Sequence, residues 1–198
     1  TATFTPTDTT NYNTATAKMT VTVGSASVTI TPTISSASMT YGSPSPYPSI
    51  SYSTSPSVSF TGGTAPTCSL YLSSDSSYVT AKTINSSLAA GDYKVHCAGA
   101  SLTNYTFTYA TDASFTVNKA TPTFNTWSNV SKTYGDSDFA AGATISGGIS
   151  GSISYSSATT SVITVSSGNL QVKGFGSSII TATFTPTDTT NYNTATAT

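Results

Sequence analysis

This sequence of 198 residues contains no glutamate and no arginine, and only 7% of its residues are charged. With a net charge of −1 it has no basic surface to attract nucleic acid or anionic lipid, so we expect neither as a partner. No apolar run approaches the length of about 18 residues that a membrane-spanning helix requires, so no membrane insertion of these 198 residues is expected. No signal peptide is evident, which is typical of a mature or excerpted chain.

Residues that favour helices are also scarce. Leucine occurs only five times, whereas Val, Ile, Tyr and Phe recur at regular positions. Thr and Ser make up about two-fifths of the chain, so the surface is expected to be polar without being strongly ionic. A hydrophobic share of 36% is too high for a disordered Ser/Thr tract. The composition predicts an all-β protein with a buried core.

The chain has few residues that could perform catalysis. Its one histidine, His96, lies in an alternating strand pattern and is expected to face solvent rather than to serve a Ser-His-Asp triad. The only closely spaced carboxylates, Asp136 and Asp138 in "YGDSDF", are more typical of a polar turn than of a glycosidase pair. The "GFG" at Gly174–Gly176 lacks the third glycine and the helix of a phosphate-binding loop. We therefore expect no enzyme and no catalytic residue.

Candidate ligands for a metal ion are similarly few. Calcium takes about six or more oxygen ligands, and the acidic words "GDSD" and "TDTTNYN" supply at most two carboxylates each. Asp and Asn in such words are equally common as turn formers. We assign no metal ligand and expect no cofactor, and calcium binding stays open.

Repeated words reveal the organisation of the chain. Residues 1–17, "TATFTPTDTTNYNTATA", return unchanged at 181–197, 180 positions later. At half that spacing, "TPT" stands at Thr31–Thr33 and again at Thr121–Thr123, and "TYG" and "TNY" follow in the same order each time. Two related units, A and B, of about 90 residues each therefore alternate along the chain.

Alternating apolar and polar residues predict short strands within these units. In "GDYKVHCAG", Tyr93, Val95 and Cys97 are expected to point inward. "SVITVSSGNLQVKG" predicts a hairpin in which Val162–Val165 and Leu170–Lys173 are joined by Ser-Gly-Asn. Several short strands separated by turn signals are typical of a β-sandwich rather than of a βαβ protein.

The order and spacing of longer words carry a family resemblance. Unit B, with "TWSNVSKTYGDSDF", "ISYSSATTSVITVSSGNLQVKGFGSSIITATF" and "DTTNYNTATA", resembles a bacterial immunoglobulin-like domain of the Big type. Unit A, with "SMTYGSP" and "GDYKVHCAGASLTNYTFTYATDASFTVNKA", resembles the MBG-type immunoglobulin-like domains of bacterial surface proteins. The resemblance covers nearly the whole chain. It implies immunoglobulin-like sandwiches in tandem, in a stalk or array of a large exported protein, often an adhesin, without an enzymatic site.

The repeat and the resemblance together predict three segments. Residues 25–119 form unit A, and residues 120–198 form unit B with its last strand truncated. Residues 1–24 correspond to the last strands of a B-type unit, which is either the preceding unit of a covalent array or a unit completed by strand exchange.

Cys68 and Cys97 are the only cysteines, and both lie in unit A. The alternation in "CSLYL" and "YKVHC" points both side chains inward. In a protein of an exported class a disulfide fits best, while two free thiols are the alternative and a metal site would need more His or Cys. Which strands the bridge would join is open.

Two functions are compatible with these features. The favoured one is a structural stalk or array repeat, extracellular on a bacterial surface or secreted, that extends a distal domain or forms a filament. The alternative is a module that itself binds a host glycan or protein. Three aromatic residues could stack on a sugar but are expected to fill the core instead: Trp127, Tyr134 and Tyr155. The tyrosines of the repeated words are expected to hold the corner before the last strands: Tyr12, Tyr105 and Tyr192.

The segment "AKMTVTV" gives the most specific expectation about partners. Met19, Val21 and Val23 alternate with polar residues that begin at Lys18, which predicts a half-buried strand. Unit B lacks a counterpart of this segment after Ala197. We expect such a strand to fill the open edge of unit B, either from a neighbouring copy in a head-to-tail filament or as part of a covalent array.

Overall fold

A computed structural model describes all 198 residues and confirms the predicted all-β, sandwich-type fold. The chain forms fifteen strands, no α-helix, and one 3-10 turn at Ser146–Gly148. The strands are β1 (Ala2–Phe4), β2 (Ala15–Ala17), β3 (Ala26–Ile34), β4 (Ser38–Thr40), β5 (Ile50–Ser55), β6 (Thr67–Leu72), β7 (Gly91–Ala98), β8 (Tyr105–Tyr109), β9 (Ala113–Asn118), β10 (Phe139–Ala140), β11 (Gly151–Ser157), β12 (Ile163–Ser166), β13 (Asn169–Val172), β14 (Ile180–Pro186) and β15 (Ala195–Ala197).

The strands pair into five sheets, and no sheet mixes strands from different predicted segments. Residues 1–24 contain the two-stranded sheet β1-β2. Unit A contains the sheets β5-β3-β8 and β4-β9-β7-β6, and unit B contains β10-β13-β12 and β11-β14-β15. In unit A, β3 contacts β7 and β9 of the other sheet, so the two sheets pack face to face. The immunoglobulin-like character of the units and their domain boundaries stay predictions.

The core of unit A forms where the two sheets meet. Along β7, Tyr93, Val95 and Cys97 are buried, as their alternation predicts. Tyr93 and Val95 pack in one cluster with Phe115 and Val117 of the adjacent strand β9, and all five side chains are at least nine-tenths buried. Period-two burial on neighbouring strands therefore gives unit A a continuous apolar face.

Unit B has a smaller core built from β14 and the β12–β13 hairpin. The predicted hairpin is confirmed, with Ser166 opposite Asn169 and with positive φ angles at Ser167 and Gly168, as a two-residue type I′ turn requires. Phe184 of β14 is buried, and its ring lies so close to Gly151 that a Cβ atom there would overlap it. Glycine at 151 thus lets β11 pass over the largest side chain of this core.

The disulfide between Cys68 and Cys97 is present. The two residues are directly opposite each other on the antiparallel strands β6 and β7. The bridge therefore joins neighbours within one sheet rather than the two sheets of the sandwich, which settles the point that the sequence left open.

The predicted strand at Lys18–Val23 does not form within the single chain, so this prediction is wrong for the isolated molecule. The preceding hairpin β1–β2 has no third strand, and the segment that follows it pairs with nothing. Met19, Val21 and Val23 are between 70% and 87% exposed. The physical reason is that a strand needs hydrogen bonds from a neighbouring strand, and none of the others in this chain lies beside the segment.

Reduction of the disulfide should destabilise unit A selectively. The bridge closes a loop of about 30 residues, for which chain entropy predicts a contribution of roughly 3–4 kcal/mol. Calorimetry with and without reductant should show a lower midpoint for the transition of unit A and an unchanged one for unit B. A chain with both cysteines replaced by serine serves as the control and should not respond to reductant. An equal shift in both transitions would contradict this assignment.

Candidate functional site

A loop of unit B, Asp188–Asn193, forms the joint between the two units. The carboxylate of Asp188 accepts hydrogen bonds from the backbone amides of Thr190 and Asn191, both at 3.1 Å. The side-chain amide of Asn191 donates to the other carboxylate oxygen at 2.7 Å. These bonds lower the pKa of Asp188, and the bond from the Asn191 side chain has the largest effect. The loop is therefore held in one shape by its own residues.

Asn191 connects this loop to unit A. Its side-chain oxygen accepts from the backbone amide of Ala90 at 2.8 Å, and its backbone oxygen accepts from the amide of Ala120 at 2.9 Å. The amide of Asn193 donates back to the oxygen of Ala120 at 2.8 Å, and the ammonium group of Lys119 donates to the oxygen of Thr189 at 2.7 Å. Because Ala120 belongs to unit B by the predicted boundary, the bonds that cross between the units are those donated by Ala90 and Lys119. Each ends on an uncharged oxygen, so neither is an ion pair.

Tyr192 adds an aromatic contact to the joint. Its ring meets the ring of Tyr41 edge to face, with 5.4 Å between the ring centres. Tyr41 belongs to the first "TYG" word and is half-buried, so two of the repeated words meet at this point. The predicted structural role of Tyr192 is consistent with this packing, although its partner lies in the other unit and was not predicted.

The N-terminal copy of the loop, Asp8–Asn13, has the same internal bonds but no partner. Asp8 accepts from the amides of Thr10 and Asn11 at 3.0 and 3.1 Å and from the side-chain amide of Asn11 at 2.8 Å. The bonds from Asn11 lower the pKa of Asp8, as at the other copy. Tyr12, however, is 66% exposed, whereas its counterpart is packed against unit A. The loop shape therefore forms without the docking contact.

Unit B has an open strand edge at the position where unit A has the paired strand β9. In unit A, β9 lies between β7 and the short parallel strand β4. In unit B, β15 covers only part of β14, and the residues before the second "TYG" word, 128–132, belong to no strand. Val130 and Tyr134 of this region are exposed. The position that β9 fills in unit A is therefore unfilled in unit B.

Two of the three candidate stacking aromatics are structural, as predicted. The indole nitrogen of Trp127 donates to the backbone oxygen of Ala141 at 2.6 Å, and the hydroxyl of Tyr155 accepts from the amide of Ala143 at 3.1 Å. Both rings are half-buried and lie 6.0 Å apart. For Tyr134 the prediction of a core position is wrong, because no strand covers this side of unit B.

His96 has partners that the sequence did not reveal. Its Nδ1 atom lies 2.8 Å from a carboxylate oxygen of Asp112, and its ring stacks on that of Tyr78 with 3.6 Å between centres. The hydroxyl of Tyr78 donates to the other carboxylate oxygen at 2.9 Å, and the Lys94 ammonium group lies 4.7 Å from the centre of the Tyr78 ring. The expectation of a simply solvent-facing histidine is therefore incomplete, since only a quarter of its side chain is exposed.

This cluster anchors the loop after β6 to the sheet. His96 makes no hydrogen bond to a serine or threonine hydroxyl, so a catalytic triad is not assembled around it. Tyr78 has its ring engaged by His96 and Lys94, which leaves it poorly placed to stack on a sugar. Asp136 accepts a hydrogen bond from the backbone amide of Thr133, and Asp138 accepts one from the side-chain amide of Gln171 on β13. No group of three or more possible metal-ligating side chains is assembled.

Comparison with protein-family models, curated protein sequences and solved structures found no match for this chain. The structure contains no helix that could span a membrane.

The contact between Asn191 and Ala90 gives a prediction with an internal control. N191A removes the acceptor of the Ala90 amide. This should lower the stability of the contact between the units by about 1 kcal/mol and speed hydrogen exchange at that amide about five-fold. N11A removes the same side chain from the same loop sequence, where no second unit is docked, and should leave that exchange rate unchanged. Equal effects of the two substitutions would contradict the joint.

The hydrogen bond from Tyr78 to Asp112 should make unit A sensitive to alkali. This bond is the main reason why the pKa of Tyr78 is raised. A raised folded-state pKa stabilises the fold below the unfolded value of about 10, and the stabilisation is lost as the pH rises through the folded-state pKa. NMR titration should give Tyr78 a lower pKa in D112N than in the wild-type chain. An unchanged Tyr78 titration would argue against the bond.

Proposed function

We propose that this chain is a structural stalk or array repeat of a large exported bacterial surface protein, with copies arranged head to tail. The immunoglobulin-like resemblance of both units and the repeated 17-residue word support an array. The disulfide supports an extracellular or secreted location, because such bonds persist in oxidising compartments. In this role the chain contributes length and stiffness and performs no catalysis.

One observation carries the proposal: the chain presents an unpaired apolar strand segment and an unpaired strand edge at the same time. Met19, Val21 and Val23 are exposed at one end of the chain. At the other end of the chain, β15 pairs with β14 only as far as Ala182, and the edge of β14 beyond that residue has no partner. An exposed edge is a template for an added strand, and main-chain hydrogen bonds supply the affinity.

The register of the existing pairs shows how the segment would fit. Ala182 is opposite Ala197, so a continued strand would place the counterpart of Met19 opposite Ile180. Side chains that are opposite each other in an antiparallel pair lie on the same face. Ala182 is fully buried, and the face it shares with Ile180 is the core face. The counterpart of Met19 would therefore lie on the core face of unit B. Those of Val21 and Val23 would lie on the same face of the added strand and extend beyond Ile180, the first residue of β14.

Unit A provides a template for this completion. Its last strand, β9, contributes the buried residues Phe115 and Val117 and pairs on both sides, with β7 and with β4. A strand of sequence "MTVTV" placed in the same way would lie between β14 and the region before the second "TYG" word. Tyr134 would then have a neighbour, as its counterpart Tyr41 does in unit A.

The strand can come from either of two sources. In a filament, Lys18–Val23 of one molecule completes unit B of the next, and because this contact does not close on itself the assembly grows linearly. In a covalent array, residues 1–24 are the last strands of the preceding B-type unit. Both arrangements place the same sequence on the same edge.

A binding module is the alternative function, and one residue favours it. Phe175 is fully exposed on a loop between Gly174 and Gly176, where a large apolar side chain has no packing role. Such a residue could anchor a glycan or a protein surface. Saturable binding of the chain to a glycan array or to host cells that is lost in F175A would favour this alternative over the stalk.

Self-association of the chain tests the filament form of the proposal. Wild-type protein should associate with increasing concentration in sedimentation velocity runs, whereas M19K/V21K should remain monomeric because charge is placed on the core face. T20K/T22K is the matched control, since it places the same charge on the opposite face and should still associate. A wild-type chain that stays monomeric at millimolar concentration would rule out strand exchange.

A further inference from the structure

Unit B contains a cleft between its 3-10 turn and the Asp188–Asn193 loop. The volume of this cleft is about 490 Å³, within the range of ~300–1,000 Å³ that is typical of small-ligand sites. One wall is formed by residues 147–150 and the other by Thr187, Asp188 and Tyr192. All of these residues belong to the predicted unit B, so the cleft is complete within a single unit.

The unpartnered polar side chains that line the cleft are hydroxyls. Ser150, Thr187 and Tyr192 each carry a hydroxyl that makes no hydrogen bond to another residue of the chain. A hydroxyl donates one hydrogen bond and can accept two. Three such groups around one cleft can therefore pair with both the donors and the acceptors of a ligand.

The one charged group at the cleft favours a neutral ligand. The carboxylate of Asp188 would repel an anion. It offers little to a cation, because its oxygens already accept hydrogen bonds from the amides of Thr190 and Asn191 and from the Asn191 side chain. No group of three or more possible metal-ligating side chains lies here either. A neutral ligand rich in hydroxyls fits these groups best.

Tyr192 supplies a surface for the apolar side of such a ligand. Its ring is half-buried and is held in place by the edge-to-face contact with Tyr41. It also lines the cleft, together with Ile149. The C–H groups of a pyranose ring can pack against an aromatic ring while the sugar hydroxyls stay available for hydrogen bonds.

Gly147 and Gly148 keep the opposite wall low. Their φ angles are 76° and 67°, in the left-handed region that favours glycine. A Cβ atom at either position would meet no atom within 4 Å, so no other side chain fills the space there. A ring-shaped ligand could therefore approach the backbone of this wall closely.

We propose that this cleft binds a neutral saccharide. The ring of Tyr192 lies against the sugar ring, and the hydroxyls of Ser150 and Thr187 bond to those of the sugar. The site goes beyond the proposed stalk role, which requires no ligand, and it does not include Phe175.

The repeated word at the N-terminus provides a matched control. Thr7, Asp8 and Tyr12 repeat the residues found at positions 187, 188 and 192. The two-stranded sheet of this segment has no third element that could supply the glycine wall. T187K places a long charged side chain in the cleft, whereas T7K makes the same change where the second wall is missing.

A glycan array that carries neutral and sialylated oligosaccharides tests the proposal, followed by NMR titration with the neutral glycan that binds best. The wild-type chain should bind at least one neutral glycan saturably and show shifts at the amides of Gly147 and Gly148. T187K should bind it at least about ten-fold more weakly, and T7K should bind it like wild type. Unchanged hydrogen exchange at the Ala90 amide shows that the joint is intact in T187K.

Three results would overturn the proposal. They are binding to sialylated glycans only or to none, equal binding by T187K and the wild-type chain, and shifts centred on Phe175 instead of the cleft. None of them bears on the stalk role, because association through Lys18–Val23 is measured separately.

Discussion

The pairing of the last strand of each unit is the constraint on which the rest of this structure depends. A strand edge without a partner exposes a row of backbone donors and acceptors, and many proteins protect such edges with charged side chains. This chain has charge on only 7% of its residues and hydroxyl groups on about two-fifths of them, so its edges are poorly protected. Unit A meets the constraint internally, because β9 has a neighbour on each side.

The contacts between the units follow from the same lack of charge. A surface of Thr, Ser and Asn offers short side chains that bond to nearby backbone and hold loops in fixed shapes. The Asp188 loop is an example, since its one carboxylate is used inside the loop while an amide oxygen and backbone groups reach unit A. The joint is therefore specific in geometry although it contains no carboxylate-to-ammonium pair.

Local patterns in the sequence predicted the features that depend on residues close together in the chain. The all-β class, the β12–β13 hairpin and the inward direction of Cys68 and Cys97 all follow from period-two alternation and turn residues, and the structure confirms them. The partners of His96 were beyond this reach, because Tyr78 and Asp112 are brought beside it only by the folding of the sheet. The repeated Asp-to-Asn spacing indicated a turn but carried no information about what the turn touches.

The segment Lys18–Val23 shows the same limit of local sequence patterns. Its alternation correctly marks residues that could lie in a half-buried strand, but alternation specifies a face and not a neighbour. In the single chain no neighbour is present, and the apolar residues stay exposed. The central claim is that the missing neighbour is the edge of β14.

Extending the chain by Met-Thr-Val-Thr-Val after Thr198 tests this claim most directly, since it supplies the strand within one molecule. We expect the backbone amides of residues 178–181 to become protected from hydrogen exchange and the midpoint of unit B to rise by at least about 4 °C. The matched extension Lys-Thr-Lys-Thr-Lys should do neither. An apolar extension that stays disordered and leaves exchange and stability unchanged would contradict the claim.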